Sequence, residues 1–265
     1  MTKQNMYDQF SEDYDRFVNW EGRLAVELPF LISEISDQAK LLDRPVRVLD
    51  TACGTGQHVI ALAKNGISIV GADFSGDMIK AARQNAKRAG LEEIPFYQAG
   101  FGQAASTFGN EVFDVCLCLG NSLPHVNDKN DLLNTLADFQ TVLKPGGKMI
   151  IQNRNFDQVL QQQNRWMEPQ TYYEDGQTWI FTRFYDFEPD AHILFNILVL
   201  KAETGKAFSQ KVISTRLWGM KQDQLIMALE QTGFENFQLF GDLQGNAFDR
   251  QESGNLVVVA HTALV

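Results

Sequence analysis

Cysteine is scarce: the chain has three, Cys53, Cys116 and Cys118, which cannot make an even disulfide framework. A reducing, cytoplasmic setting is therefore expected. Zinc chemistry lacks its ligands, because Cys116 and Cys118 alternate along one stretch without a Cys-x-x-Cys, and His58, His125, His192 and His261 are scattered. No metal is expected. Lys and Arg form no run and the formal charge is −10, so a phosphate backbone finds no basic stripe and nucleic acid is not an expected partner. No apolar stretch approaches the roughly 20 residues that span a bilayer. Residues 1–10 carry no basic-then-apolar leader pattern, so neither membrane nor secretion is expected. Internal repeats and low-complexity stretches are also missing.

What remains is a chain of 265 residues with 44% hydrophobic content, enough for a large core or a domain with an insertion. It is organised around the run Val46-Arg47-Val48-Leu49-Asp50-Thr51-Ala52-Cys53-Gly54-Thr55-Gly56-Gln57. The apolar residues up to Asp50 read as a strand buried on both faces. Gly54 and Gly56 permit a tight turn and leave backbone open to a ligand. Residues 58–64 follow with helical spacing. Strand, glycine loop and helix place small ligands at the carboxyl ends of parallel strands. A dinucleotide fingerprint needs a third glycine three residues after the second, and Val59 stands there. Asp50 would also repel a pyrophosphate, whereas an ammonium or sulfonium tolerates a nearby acid.

The run Leu49–Gly56 closely resembles the first motif of class I S-adenosylmethionine-dependent methyltransferases. The resemblance covers the whole chain at fold level. It implies an α/β, Rossmann-like seven-stranded sheet and S-adenosyl-L-methionine as cofactor, with S-adenosylhomocysteine as product. Residues 67–73 read as the second strand, and Asp73 at its end is placed to accept hydrogen bonds from ribose hydroxyls. Its alternative role, capping the next helix (residues 78–89, stopped by Gly90), falls as readily to Ser75. After a third strand at 95–99, many members of the family place an acid for the adenine amino group. Here Gly100 and Phe101 stand instead, so backbone and the Phe101 ring are expected to meet adenine. Ala52, Gly54, Gly56, Phe74, Met78 and Leu119 complete the expected cofactor contacts.

Tyr7, Phe10, Tyr14 and Phe17 form an aromatic stripe at helical spacing, followed by a second amphipathic helix at 21–35 that Asp43-Arg44-Pro45 breaks. Most of these residues pack on a core. Read as a lid, the segment offers Tyr14 and Arg23 to the cofactor and Tyr7 to the substrate, with Trp20 beside them.

The fourth strand, 112–119, runs into Gly120-Asn121-Ser122-Leu123-Pro124-His125. Enzymes that methylate nucleic-acid bases carry an Asn/Asp-Pro-Pro-Tyr/Phe block there. This run instead resembles that of glycine and sarcosine N-methyltransferases. A helix at 131–143, a Lys144-Pro145-Gly146-Gly147 turn and a fifth strand at 148–152 lead to Asn153-Arg154-Asn155-Phe156-Asp157. That run resembles the His-Arg-Asn-Tyr-Asp of glycine N-methyltransferase, whose arginine holds the substrate carboxylate. Arg154 matches it, and a guanidinium forks onto a carboxylate; a salt bridge to Asp157 is the plainer alternative. Asn121 would orient the acceptor. His125, with an unperturbed pKa of about 6.5, would take the amine proton or simply bond the adjoining loop.

Residues 179–187, 191–201 and 206–216 read as an antiparallel meander, and a helix at 221–232 with strands at 237–240 and 256–260 closes the chain. The expected organisation is a helical lid at 1–40, a cofactor domain at 41–157 and 217–265, and a β insertion at 158–216 capping the substrate. Methyl transfer to a small-molecule acceptor is expected, at the amine of an amino acid such as glycine or sarcosine. The alternatives are a small-molecule O-methyltransferase or a sugar-amine N-methyltransferase, and more remotely an NAD-dependent oxidoreductase. The oligomeric state is open, a homo-oligomer among the options.

Overall fold

The structure, a computed structural model, describes residues 13–264. Tyr7 and Phe10 of the aromatic stripe lie outside the described residues; residues 13–17 are helical. A long helix, α1 (Trp20–Leu42), precedes strand β1 (Arg47–Asp50). Then follow α2 (Gln57–Lys64), β2 (Ser68–Asp73), α3 (Gly76–Arg88), β3 (Phe96–Gln98), the short α4 (Ala104–Phe108), β4 (Phe113–Cys118), α5 (Lys129–Val142) and β5 (Leu143–Arg154). The alternation breaks after β5. A short α6 (Phe156–Gln162) leads into β6 (Gln170–Glu174), β7 (Gln177–Phe187), β8 (His192–Glu203) and β9 (Ser209–Trp218). The chain ends with α7 (Gln222–Gln231), β10 (Phe234–Phe240) and β11 (Asn255–Thr262).

The seven-stranded sheet has the order β10-β11-β5-β4-β1-β2-β3, with β11 antiparallel to both its neighbours, β10 and β5, and the other pairings parallel. Every residue of β4 is buried, as a central parallel strand covered on both faces requires. On one face Leu132, Leu136 and Phe139 of α5 pack with Leu225 and Leu229 of α7. On the other, Leu31 and Ile35 of α1 join Val59 and Leu62 of α2 and Ile79 of α3. Val59, at the position where a dinucleotide loop carries glycine, is a fully buried core residue. Phe139 is equally buried, and truncating such a ring to alanine costs about 3–5 kcal/mol. Strand order reverses at β1, flanked by β4 and β2, so the loops leaving β1 and β4 diverge and open a crevice at the carboxyl ends. No helix among the described residues is long and apolar enough to cross a membrane.

The second sheet is antiparallel, in the order β6-β7-β8-β9. Its buried residues Trp179, Phe181, Ile197, Val199 and Ile213 pack against Tyr14 and Phe17, which ties the inserted sheet to the segment preceding α1. Four strands stand where three were expected. Gln170–Glu174 escaped notice because its five residues are mostly polar and half exposed. The helices α4 and α6, of five and seven residues, are too short to show a 3.6-residue period.

Two boundaries also differ from expectation. Helix α1 runs on past the expected end at Ile35 to Leu42, where Asp43 caps it in a left-handed conformation; in the added turns buried Gln38 donates from Nε2 to the Gly146 carbonyl at 2.9 Å. The turn expected at 144–147 is not a cap before β5 but a loop inside its ladder. Leu143 pairs with Phe113 and Lys148 with Val115, and the residues between bulge out.

Candidate functional site

The loop between β1 and α2 is held open by two left-handed glycines, Gly54 (φ +53°) and Gly56 (φ +81°). A Cβ on Gly56 would lie 3.0 Å from Ala82 and the Phe96 ring, so this glycine serves close packing of α3 and β3. The Asp73 carboxylate fixes the opposite side, accepting hydrogen bonds from Gly54 N and Ser75 N, each at 2.9 Å. Capping of α3 falls to Ser75, whose Oγ accepts from Met78 N at 3.2 Å. Above this floor lies a cavity of about 680 Å³. Asp73, Phe74 and Met78 line it beside Ala52 and Gly54, and Gly100, Phe101 and Tyr14 close it. The described lining includes the acids Asp73 and Asp131 but no lysine or arginine. Asp50 sits buried beneath the loop and accepts from Ala52 N at 3.2 Å. Burial, with help from the nearby Asp73 charge, pushes its carboxyl up to about 7.

A second cavity, of about 570 Å³, shares Tyr14, Gly120 and His125 with the first. Its walls come from α1, the loop after β4, the end of β5 and the face of β7 turned toward the main sheet. Asn121 and Arg154 line it together with Arg23, which was expected at the cofactor. Arg23 is drawn there by Glu27 one turn along α1: Nε donates to Glu27 Oε2 at 3.0 Å, and Nη2 to Gln152 Oε1 at 3.3 Å. Asp50, Gly56 and Leu119 line neither cavity. Leu119 is 3% exposed and belongs to the core. Tyr7 lies outside the described residues.

Arg154 is not paired with Asp157. That carboxylate accepts from Gln222 N at 2.8 Å and lies 3.8 Å from Arg250. Arg154 instead donates its backbone N–H to Asn121 Oδ1 at 2.9 Å and its Nη1 to Asn255 Oδ1 at 3.2 Å. Asn121 adopts a left-handed φ of 64°, which aims its amide across to β5. His125 ends a 3-10 turn (Leu123–His125), with Nδ1 3.3 Å from Thr215 Oγ1 on β9.

A family profile described as "Methyltransferase domain" matches residues 42–212. The chain belongs to the methyltransferase domain family. It is 30% identical over 255 residues to glycine/sarcosine N-methyltransferase of Aphanothece halophytica, covering 91% of this chain and 84% of that protein. It superposes on the CcbJ methyltransferase of Streptomyces caelestis with a TM-score of 0.77 at 19% identity, over 99% of this chain and 100% of that one. SAM-bound CalS10, an amino pentose methyltransferase from Micromonospora echinaspora, gives a TM-score of 0.66 at 17% identity over 93% and 92% of the two chains. At such identities the structural likeness speaks for the fold. Together these findings make the protein an S-adenosylmethionine-dependent methyltransferase.

The larger cavity of the methyltransferase suits that cofactor. S-adenosylmethionine carries an ammonium and a sulfonium, and a lining with acids and no lysine or arginine favours both while disfavouring a pyrophosphate. Two features of the site had no local signal in the sequence. The first is Asp15, whose carboxylate accepts from Trp20 Nε1 (2.9 Å), Thr55 Oγ1 (2.6 Å), Gln57 Nε2 (3.2 Å) and Asn85 Nδ2 (2.8 Å). It latches the segment carrying Tyr14 onto the glycine loop. The second is the buried Glu27. It accepts from Arg23, from His58 Nε2 at 2.6 Å and from Gln152 Nε2 at 3.2 Å. Burial pushes its carboxyl up, but the bonds and charges of His58 and Arg23 outweigh burial and hold it below its ordinary value.

Proposed function

We propose that the enzyme methylates a small-molecule acceptor at the amine nitrogen of an amino acid, of the glycine or sarcosine kind. The observation that carries this reading is Arg154. Its guanidinium lines the cavity that adjoins the cofactor cavity, and among the described residues no carboxylate pairs with it. The 30% identity to a glycine/sarcosine N-methyltransferase supports the same acceptor class. An aminosugar would leave this guanidinium unanswered.

In this reading Asp73 holds the ribose hydroxyls. The backbone at Ala52, Gly54 and Gly100 receives the rest of the nucleoside and the amino-acid tail, with Phe74, Met78 and Phe101 around the adenine. Bound S-adenosylmethionine supplies a methyl group already activated by its sulfonium. The protein's part is positioning, since collinear approach at near-contact distance accounts for most of what such a displacement needs. Arg154 forks onto the acceptor carboxylate, Asn121 and the Gly120 backbone steer the amine, and His125, on the wall common to both cavities, accepts its proton. Residues 1–40 serve as a lid, and the insertion at 158–216 as the substrate cap. Incubation with methyl-labelled donor and glycine or sarcosine should give N-methylated product. Arg154→Ala should raise the acceptor KM about thirtyfold or more, as loss of a charged hydrogen-bonded pair implies. An unchanged KM rejects the amino-acid reading.

A further inference from the structure

The acceptor cavity holds more positive charge than one carboxylate answers. Besides Arg154, at the end of β5, it is lined by Arg183, in the middle of β7 on the inserted sheet. Arg183 lies over the Phe17 ring at 5.3 Å, and its Nε is buried without a hydrogen-bond partner. Next to Arg154, Asn153 is 2% exposed, lines the same cavity, and leaves both Oδ1 and Nδ2 without partners. Glu27, the acid among the described lining residues, is already engaged by Arg23, His58 and Gln152. Burial and the neighbouring Arg154 charge both push Arg183 below its ordinary value, as expected of two cations facing one space without an anion. Tyr185 stands by both guanidiniums and bonds Arg154, but a neutral phenol supplies no countercharge.

Buried polar groups are normally satisfied, whereas the Arg183 Nε and the Asn153 amide are not; Arg183 is half-buried and Arg154 exposed. Here three unsatisfied atoms, the Arg183 Nε and both ends of the Asn153 amide, belong to side chains that line one cavity from two sheets. A ligand bearing a single carboxylate on Arg154 would leave them as they are. The volume of about 570 Å³ also far exceeds what glycine fills.

We propose that the preferred acceptor is an amine bearing two acidic groups, one held by Arg154 and the other by Arg183 with the Asn153 amide. This rests on the amino-acid reading above and narrows it to the dicarboxylic class.

The test uses the full chain with methyl-labelled donor and four acceptors: glycine, sarcosine, aspartate and glutamate. A dicarboxylic amino acid should exceed glycine in kcat/KM by about tenfold or more, the worth of one further charge-assisted contact. In Arg183→Ala the ratio of dicarboxylic to glycine kcat/KM should fall by about the same factor, through KM rather than kcat, and Arg183→Lys should restore part of it. Calorimetry with S-adenosylhomocysteine shows whether each variant is folded. Equal kcat/KM for mono- and dicarboxylic acceptors overturns the proposal. So does an Arg183→Ala that lowers both classes alike, since that describes two arginines on one carboxylate. If none of the four acceptors is methylated, the amino-acid reading fails first. The cavity is then judged by titrating the S-adenosylhomocysteine complex with succinate and with acetate. Succinate binding about tenfold tighter sustains two anion sites, and equal binding overturns them.

Discussion

The cofactor and acceptor cavities meet at Tyr14, Gly120 and His125, yet their chemistry is opposite. One is formed largely by turns at strand ends and lined by Asp73 and Asp131 without a lysine or arginine. The other gathers Arg23, Arg154 and Arg183 from α1, β5 and β7, with its one described acid already taken. Under the proposed function, a cationic donor and an anionic acceptor would be sorted across a common wall, each cavity repelling the other's ligand. The two also differ in construction. Apart from Tyr14, the first is assembled between Thr51 and Ala137, from the loops at the ends of β1 to β4 with the adjoining helices α3 and α5. The second needs segments more than a hundred residues apart.

If the cavities are this separate, substitutions should split cleanly between them. Asp73→Ala should have the largest effect. It removes the ribose acceptor and leaves Gly54 N and Ser75 N without their present partner. Losing the charge-assisted hydrogen bonds to the ribose amounts to about 3 kcal/mol, so cofactor binding should weaken about a hundredfold. Calorimetry with S-adenosylhomocysteine reads that loss, while the acceptor KM at saturating donor should change less than about threefold. Arg154→Ala should show the mirror image, with acceptor KM up about thirtyfold and the calorimetric Kd nearly constant. A variant that moves both constants equally would show that the shared wall transmits more than the two linings divide.

Asp15→Ala is the variant expected to cross the divide. Its carboxylate fastens the segment bearing Tyr14 and Phe17, and Tyr14 lines both cavities while Phe17 lines the acceptor side. Both the cofactor Kd and the acceptor KM should rise, each about tenfold, the scale of one charged hydrogen-bonded group. An effect confined to one constant would mean that the segment belongs to one cavity only.

The same contrast explains what the sequence made legible. Asp50, the two glycines and Asp73 lie where a buried apolar run ends, and their meaning is fixed by neighbours a few residues away. The continuous apolar strands β1, β2 and β4 announced the parallel sheet for the same reason. Arg154 was legible through its motif, one residue beyond a buried strand end. Arg183 was not: in an alternating strand it reads as a solvent-facing cation until the sheet folds against Phe17. Glu27 looked like an ordinary polar position on an amphipathic helix, and only the arrival of Gln152 and His58 gives it a role. Asp15 sat unnoticed inside an aromatic stripe. Arg23 was assigned to the cofactor as a charged member of the helical lid; its contacts with Glu27 and Gln152 put it on the lining of the other cavity. Residues whose partners are remote carry no local periodicity, so the acceptor side stayed the less readable half.

The finest test of the charge sorting is pH. Burial raises the Asp50 carboxyl to about 7, far above the 3.8 of a free aspartate. With the folded value raised, Asp50 adds stability to the cofactor-free protein at low pH, and that contribution fades as pH rises toward and through 7. Cofactor binding has the opposite sign. A sulfonium and an ammonium near this site favour the ionised carboxylate, so protons compete with the donor and affinity falls on acidification. For a single group titrating at about 7, the ionised fraction drops about fourfold between pH 8 and 6.5. The Kd for S-adenosylmethionine should rise by that factor, and Asp50→Asn should flatten the profile. S-adenosylhomocysteine, which keeps the ammonium but lacks the sulfonium, should show a shallower dependence. If the two compounds titrate identically, the acid beneath the loop senses the ammonium alone, and its part in selecting the methyl donor over its product disappears.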